Sequence, residues 1–159
     1  MSADVLAADD GPDPDAARAE EDAALQDALA AAHAAIWGHG VLGGALPEAD
    51  RPVVVAGEEA HRDVRDRVAG LLRSRGLQPA APRAGYRLPF PVLSPVDAAA
   101  LGVVLEDGVA AAWVTVLGRA VERATRELAV TVLGATELRA VDWRTRAGRS
   151  PVTEAFPGL

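Results

Sequence analysis

Glu58 and His61 stand three apart in the stretch GEEAHRD, residues 57–63, a spacing that on a helix brings both side chains to one face. A carboxylate and an imidazole placed this way form one half of a carboxylate-bridged metal centre, because two hard divalent cations require bridging oxygens and terminal nitrogens. The same pair also fits an ordinary helix N-terminus, where the macrodipole favours an acid with no metal present and a core histidine bonds a carboxylate. Glu106 is the second candidate. Between residues 98 and 117 the only polar side chains are Glu106, Asp107 and Thr115, so a helix there buries Glu106, and a buried carboxylate must be paired or neutral. It is a ligand, a general base with a raised pKa, or the partner of His61 or of an arginine such as Arg62 or Arg65. Glu137, His33 and His39 complete the side chains from which a mononuclear site could be drawn.

Other chemistries find little material. The chain has no cysteine, which removes disulfides, thiolate metal sites and cysteine nucleophiles. Nothing resembling a nucleophile motif surrounds Ser74, Ser94 or Ser150, so no catalytic residue is assigned. All 16 basic residues are arginine, and the net charge of -7 is uneven: residues 1–22 carry eight acids against Arg18 alone, and the remainder is neutral. A neutral body without a basic, aromatic-studded patch gives no footprint for nucleic acid. The N-terminus lacks a basic leader followed by an apolar stretch, so neither a secretory signal nor a membrane anchor is expected, and a cytoplasmic location is.

The elements that must position these residues follow from apolar periodicity. Residues 1–22, with GPDPD at their centre, read as a disordered acidic arm, and residues 23–159 as one domain. Leu25, Ala28, Leu29, Ala32, Ile36 and His39 follow helical spacing up to Pro47, and glycines 38, 40, 43 and 44 imply close approach by a neighbouring backbone. A second helix is predicted from about Glu58 to Gly76, with Val64, Val68, Leu71 and Leu72 facing inward beside His61 and Glu58; RPVVVAG before it reads as an extended connector or an early helical turn. Residues 77–93 hold prolines 79, 82, 89 and 91 and cannot be helical throughout; Tyr86, Leu88, Phe90 and Val92 make them an apolar strap. Ser94-Pro95-Val96-Asp97 is a helix start, and the third helix, apolar almost all round, is central or covered by a partner subunit. The Glu106-Asp107 pair at its midpoint argues against a membrane span. A fourth helix from about Val121 to Arg146 places Ala124, Leu128, Val132, Ala135 and Leu138 at core spacing, and Phe156 and Leu159 are expected to dock on the bundle. Four helices with a long proline-rich crossover between the second and third give an all-α, ferritin-like four-helix bundle.

The strings ALAAAHAAIWGHGVLG, EEAHRDVRDRV, YRLPFPV, LEDGVAAAW and FPGL resemble, in that order, the alanine-rich ferritin-like proteins of high-GC bacteria classed as a domain of unknown function. The resemblance spans about residues 23–159 and implies a ferritin-like bundle and self-association; the family brings no established activity. Its first helix commonly carries a glutamate before the histidine of that segment, where this chain has Ala32 before His33. In the fourth helix Glu137-Leu138-Arg139-Ala140 has alanine where a di-iron site needs histidine. Two of the six ligands of a dinuclear centre are therefore missing. Two readings result: a non-catalytic structural or interaction module without cofactor, homodimeric through the third helix or the glycine-rich first, or a metalloprotein holding iron or manganese at Glu58, His61 and Glu106.

Overall fold

The computed structural model describes Gly11 and residues 13–159. Four helices, α1 (Pro14–Ala45), α2 (Arg51–Ser74), α3 (Pro95–Arg119) and α4 (Arg123–Arg146), account for the fold, with a single 3₁₀ turn (Glu48–Asp50) before α2 and no strand among the described residues. Helix α1 packs against α2 and α3, and α3 against α4.

Helix α1 begins nine residues before the boundary expected at residue 23. Asp13 caps it by accepting from the Asp15 amide at 3.0 Å, and Pro14 follows in the first turn, where its missing N–H costs nothing. The acids expected to be solvated are partly structural. Glu21 is fully buried and accepts from the Val121 and Glu122 amides and the Thr125 hydroxyl, while Arg75 bridges Glu21, Asp22 and Glu122. This knot ties α1, the end of α2 and the start of α4 together. Residues 1–10 and 12 of the expected arm lie outside the described residues.

Helix α2 starts at Arg51, so RPVVVAG is its first two turns and Pro52 sits within the first. Glu58 therefore lies well inside the helix, not at its N-terminus. The stop at Gly76 occurs as predicted, with φ +75°, a left-handed conformation that favours glycine. Ser94 caps α3 by accepting from the Asp97 amide, and Asp97 accepts in return from the Ser94 hydroxyl and the Leu93 amide. By length and composition α3 could cross a membrane, with mean hydropathy 1.7 over its most apolar window, of which 44% is buried; in the fold it is the helix shared by α1 and α4. Residues 75–94 lie between α2 and α3. Gln26 holds them through Gln78 and Ala80, His33 through the Ala80 carbonyl, and Trp37 packs against Tyr86 at a 45° tilt with centroids 5.5 Å apart.

The buried stripe of α4 is Thr125, Ala129, Val132, Thr136, Ala140 and Trp143. Ala124, Ala135 and Leu138, expected inward, are exposed, Leu138 at 76%; two threonines in the true stripe masked its phase. Phe156 and Leu159 are also exposed. The C-terminal tail docks through Gly158, whose φ is +80° and where a Cβ would lie 2.8 Å from the Ala110 carbonyl oxygen.

The interior divides into two apolar cores. One gathers Leu25, Leu29, Val68, Leu72, Trp113 and Val132, the other Leu42, Val54, Leu101, Val103 and Trp143. Burying each large side chain contributes about 1.5–3 kcal/mol. Between them, on every helix, the sequence changes character: His39 lies between Ala35 and Leu42, His61 between Val54 and Val68, Glu106 between Val103 and Val109, and Thr136 and Arg139 between Val132 and Trp143.

Candidate functional site

That polar layer is the candidate site. His39, His61 and Glu106 are fully buried, and each brings a ligand-type atom to within 4.8 Å of the other two. Helical periodicity places them: His39 stands seven residues after Ala32 on the inner face of α1, His61 seven before Val68 on α2, and Glu106 three after Val103 on α3.

His39 Nδ1 donates to the Ala35 carbonyl one turn back, at 2.9 Å. A carbonyl only accepts, so this bond fixes the tautomer and leaves Nε2 with a lone pair. That Nε2 has no hydrogen-bond partner. It reaches α2 at Gly57, where a Cβ would stand 2.5 Å away; only a glycine leaves room for the ring. Burial, reinforced by the nearby His61 and Arg139, holds the His39 pKa below its ordinary value against the opposing pull of the Ala35 carbonyl and Glu106.

His61 Nε2 lies 3.0 Å from Glu106 Oε1, and its Nδ1 is buried without a partner. The two imidazoles lie 5.1 Å apart between centroids. Arg139 closes the layer from α4: its Nε stands 3.1 Å from both Glu106 oxygens, and it donates to Thr136 Oγ1 at 3.2 Å. Burial would raise the Glu106 pKa, but the hydrogen bond from His61 and the charge of Arg139 outweigh it, and the carboxyl sits below its ordinary range. Glu106 is therefore an ionised, charge-compensated carboxylate and not a poised general base.

Of the residues expected to bind metal, the structure brings His61 and Glu106 together and leaves Glu58 apart. Glu58 pairs with Arg62 one turn along the same helix and is partly exposed. His39 takes its place in the cluster. Neither Arg62 nor Arg65 reaches Glu106; Arg65 pairs with Asp66. The partner is Arg139, which the sequence reading passed over because the stripe assigned to α4 was out of phase. Glu137 turns to Arg144, whose buried guanidinium also holds Asp107 at 2.6 Å. Ala32 and Ala140 are both fully buried, so neither position offers the layer a ligand atom. A dinuclear centre does not fit this donor set: it offers one carboxylate, already shared by His61 and Arg139.

Between α2 and α4 runs an apolar groove of about 390 Å³ lined by Val53, Ala56, Gly57, Ala60, Leu138, Arg139, Asp142 and Trp143. Gly57 and Arg139 belong to both the groove wall and the polar layer, so the groove borders the buried cluster.

Fold and site together define, among the described residues, an all-helical arrangement of four helices with a charged layer between two apolar cores. The chain belongs to the family described as a domain of unknown function, DUF4439, which matches residues 24–159. Among solved structures it is similar to a conserved hypothetical protein, rv2844, from Mycobacterium tuberculosis, at 37% sequence identity and a TM-score of 0.81, with 89% of this chain and 99% of that chain covered. No curated protein matches it.

Proposed function

We propose that this protein is a ferritin-like bundle that serves as a non-catalytic structural or interaction module, its interior held by a compensated charge layer where a dinuclear centre would require more carboxylates. The observation that carries this reading is the placement of Arg139 Nε at 3.1 Å from both oxygens of Glu106. The guanidinium supplies the positive charge that a bridging carboxylate would otherwise take from metal. Two further cations beside it would face unscreened repulsion. The test is anaerobic loading with ferrous iron followed by oxygen. Fewer than two ions per chain and no oxygen consumption are expected; two irons per chain with an oxo-bridged absorption would overturn the reading.

Self-association through α3 is part of the same proposal. Val96, Val104, Gly108, Ala111 and Thr115 lie exposed along its outer side without a charge among them, and small residues allow a second helix close approach. Sedimentation at micromolar concentration is expected to give a dimer, and a strict monomer would remove that part.

A further inference from the structure

We propose that His39, His61 and Glu106 form a binding site for a single divalent transition-metal ion of the zinc and cobalt class, one ion per chain. The two histidines carry the inference. Buried polar nitrogens are almost always partnered, and an orphaned one costs on the order of a hydrogen bond. Here two lie in one layer: His39 Nε2 and His61 Nδ1.

The tautomer of His39 already suits a metal. Its Nδ1 proton is engaged by the Ala35 carbonyl at 2.9 Å, the outer-shell arrangement that orients a ligating imidazole and presents the other nitrogen's lone pair. His61 Nε2, 3.0 Å from Glu106 Oε1, ligates once its proton moves to the unpartnered Nδ1, and Glu106 offers a carboxylate held by Arg139. Two imidazoles and one carboxylate suit zinc-class ions better than hard oxygen-seeking ones, and three protein ligands with water or a small anion make a four-coordinate shell.

The geometry needs modest closure. Ligand atoms about 2.0–2.2 Å from a zinc-class ion stand roughly 3.3 Å from one another, whereas here they lie within 4.8 Å. Small rotations of the His39 and His61 rings toward Glu106 close that difference, and Gly57, lacking a Cβ, does not pin His39 Nε2. The ion enters without redox change or covalent step.

Arg139 gives the site a signature that adventitious binding by surface acids would lack. Its charge lies against the proposed ligand Glu106 and opposes a cation, so its removal strengthens binding.

The experiment is titration of the full chain, freed of metal by chelator, with Co²⁺, followed by visible ligand-field absorption, with Zn²⁺ competing. The wild type is expected to bind one equivalent with four-coordinate bands that Zn²⁺ displaces. His39→Ala weakens binding by at least about a hundredfold, Arg139→Gln tightens it about tenfold, and His33→Ala, which lies outside the cluster, leaves it unchanged. Should His39→Ala lose its helical circular dichroism, His39→Gln carries the same test. Absence of the bands in the wild type, or binding indifferent to the loss of the His39 ring, would overturn the proposal. The outcome is separable from that of the iron loading: two irons per chain count against the non-catalytic module, whereas failure to bind cobalt counts against this site alone.

Discussion

Arg139 Nε lies equidistant, at 3.1 Å, from the two carboxylate oxygens of Glu106, one of which also faces His61 Nε2 at 3.0 Å. Three helices, α2, α3 and α4, thus meet on one fully buried carboxylate. Breaking such a pair by removing one partner is costly because it strands the other charge, and the geometry fixes the relative level of all three helices. We attribute to it the setting of helix register, a role that buried ionic groups serve in some folds.

Gly57 and Gly40 should respond in opposite directions to alanine. At Gly57 a Cβ would stand 2.5 Å from His39 Nε2, while at Gly40 nothing lies within 4 Å. Gly57→Ala is expected to destabilise by about 1–3 kcal/mol through overpacking, and Gly40→Ala to stabilise by up to about 1 kcal/mol through helix propensity. Urea unfolding of the two variants measures both; equal effects would mean that His39 does not abut α2.

Glu21 should confer acid sensitivity. Burial would raise its pKa, but the amides of Glu122 and Val121, the Thr125 hydroxyl and Arg75 outweigh it and hold the carboxyl below its ordinary value of 4.5. Asp22, Arg75 and Glu122 are the charged groups around it. A carboxyl depressed in the folded state adds stability that is complete above the unfolded pKa and is lost as pH falls through the folded one. The thermal midpoint should therefore drop as pH is lowered below about 4.5, and Glu21→Gln should flatten part of that decline while lowering stability at neutral pH. A parallel decline in wild type and variant would show that Glu21 contributes nothing to it.

Arg144 should hold the C-terminal tail. Its buried guanidinium bonds Asp107 and Glu137 and reaches the Val152 carbonyl at 3.3 Å, which spans α3, α4 and the tail. Arg144→Ala should make residues 149–159 susceptible to limited proteolysis and cost about 1.5–3 kcal/mol, the range for hydrogen bonds to charged groups. Unchanged cleavage would show that Gly158, not Arg144, anchors the tail.

The parts of this fold that were legible in the sequence are those where one local rule acts alone. Ser94, Pro95 and Asp97 announce α3 because capping depends on near neighbours. His39, His61 and Glu106 read as inward because they continue apolar stripes at helical spacing. The start of α2 is not marked in the sequence because Val53, Val54 and Val55 favour extended backbone, and packing against α1 overrides that preference. The stripe of α4 was misphased because Thr125 and Thr136 are polar by type yet buried, and with the phase went Arg139. Glu21 gave no sign of its role, since its partners lie 54 and about 100 residues away. Long-range pairing of charges leaves no periodic trace.

The Glu106–Arg139 coupling tests the central claim most directly. In a double-mutant cycle of Glu106→Gln, Arg139→Gln and the double variant, read by urea unfolding, each single change should destabilise and the double should cost less than their sum. The expected coupling is about 2 kcal/mol, as for charge-assisted hydrogen bonds. Additive costs would contradict a charge layer closed by Arg139.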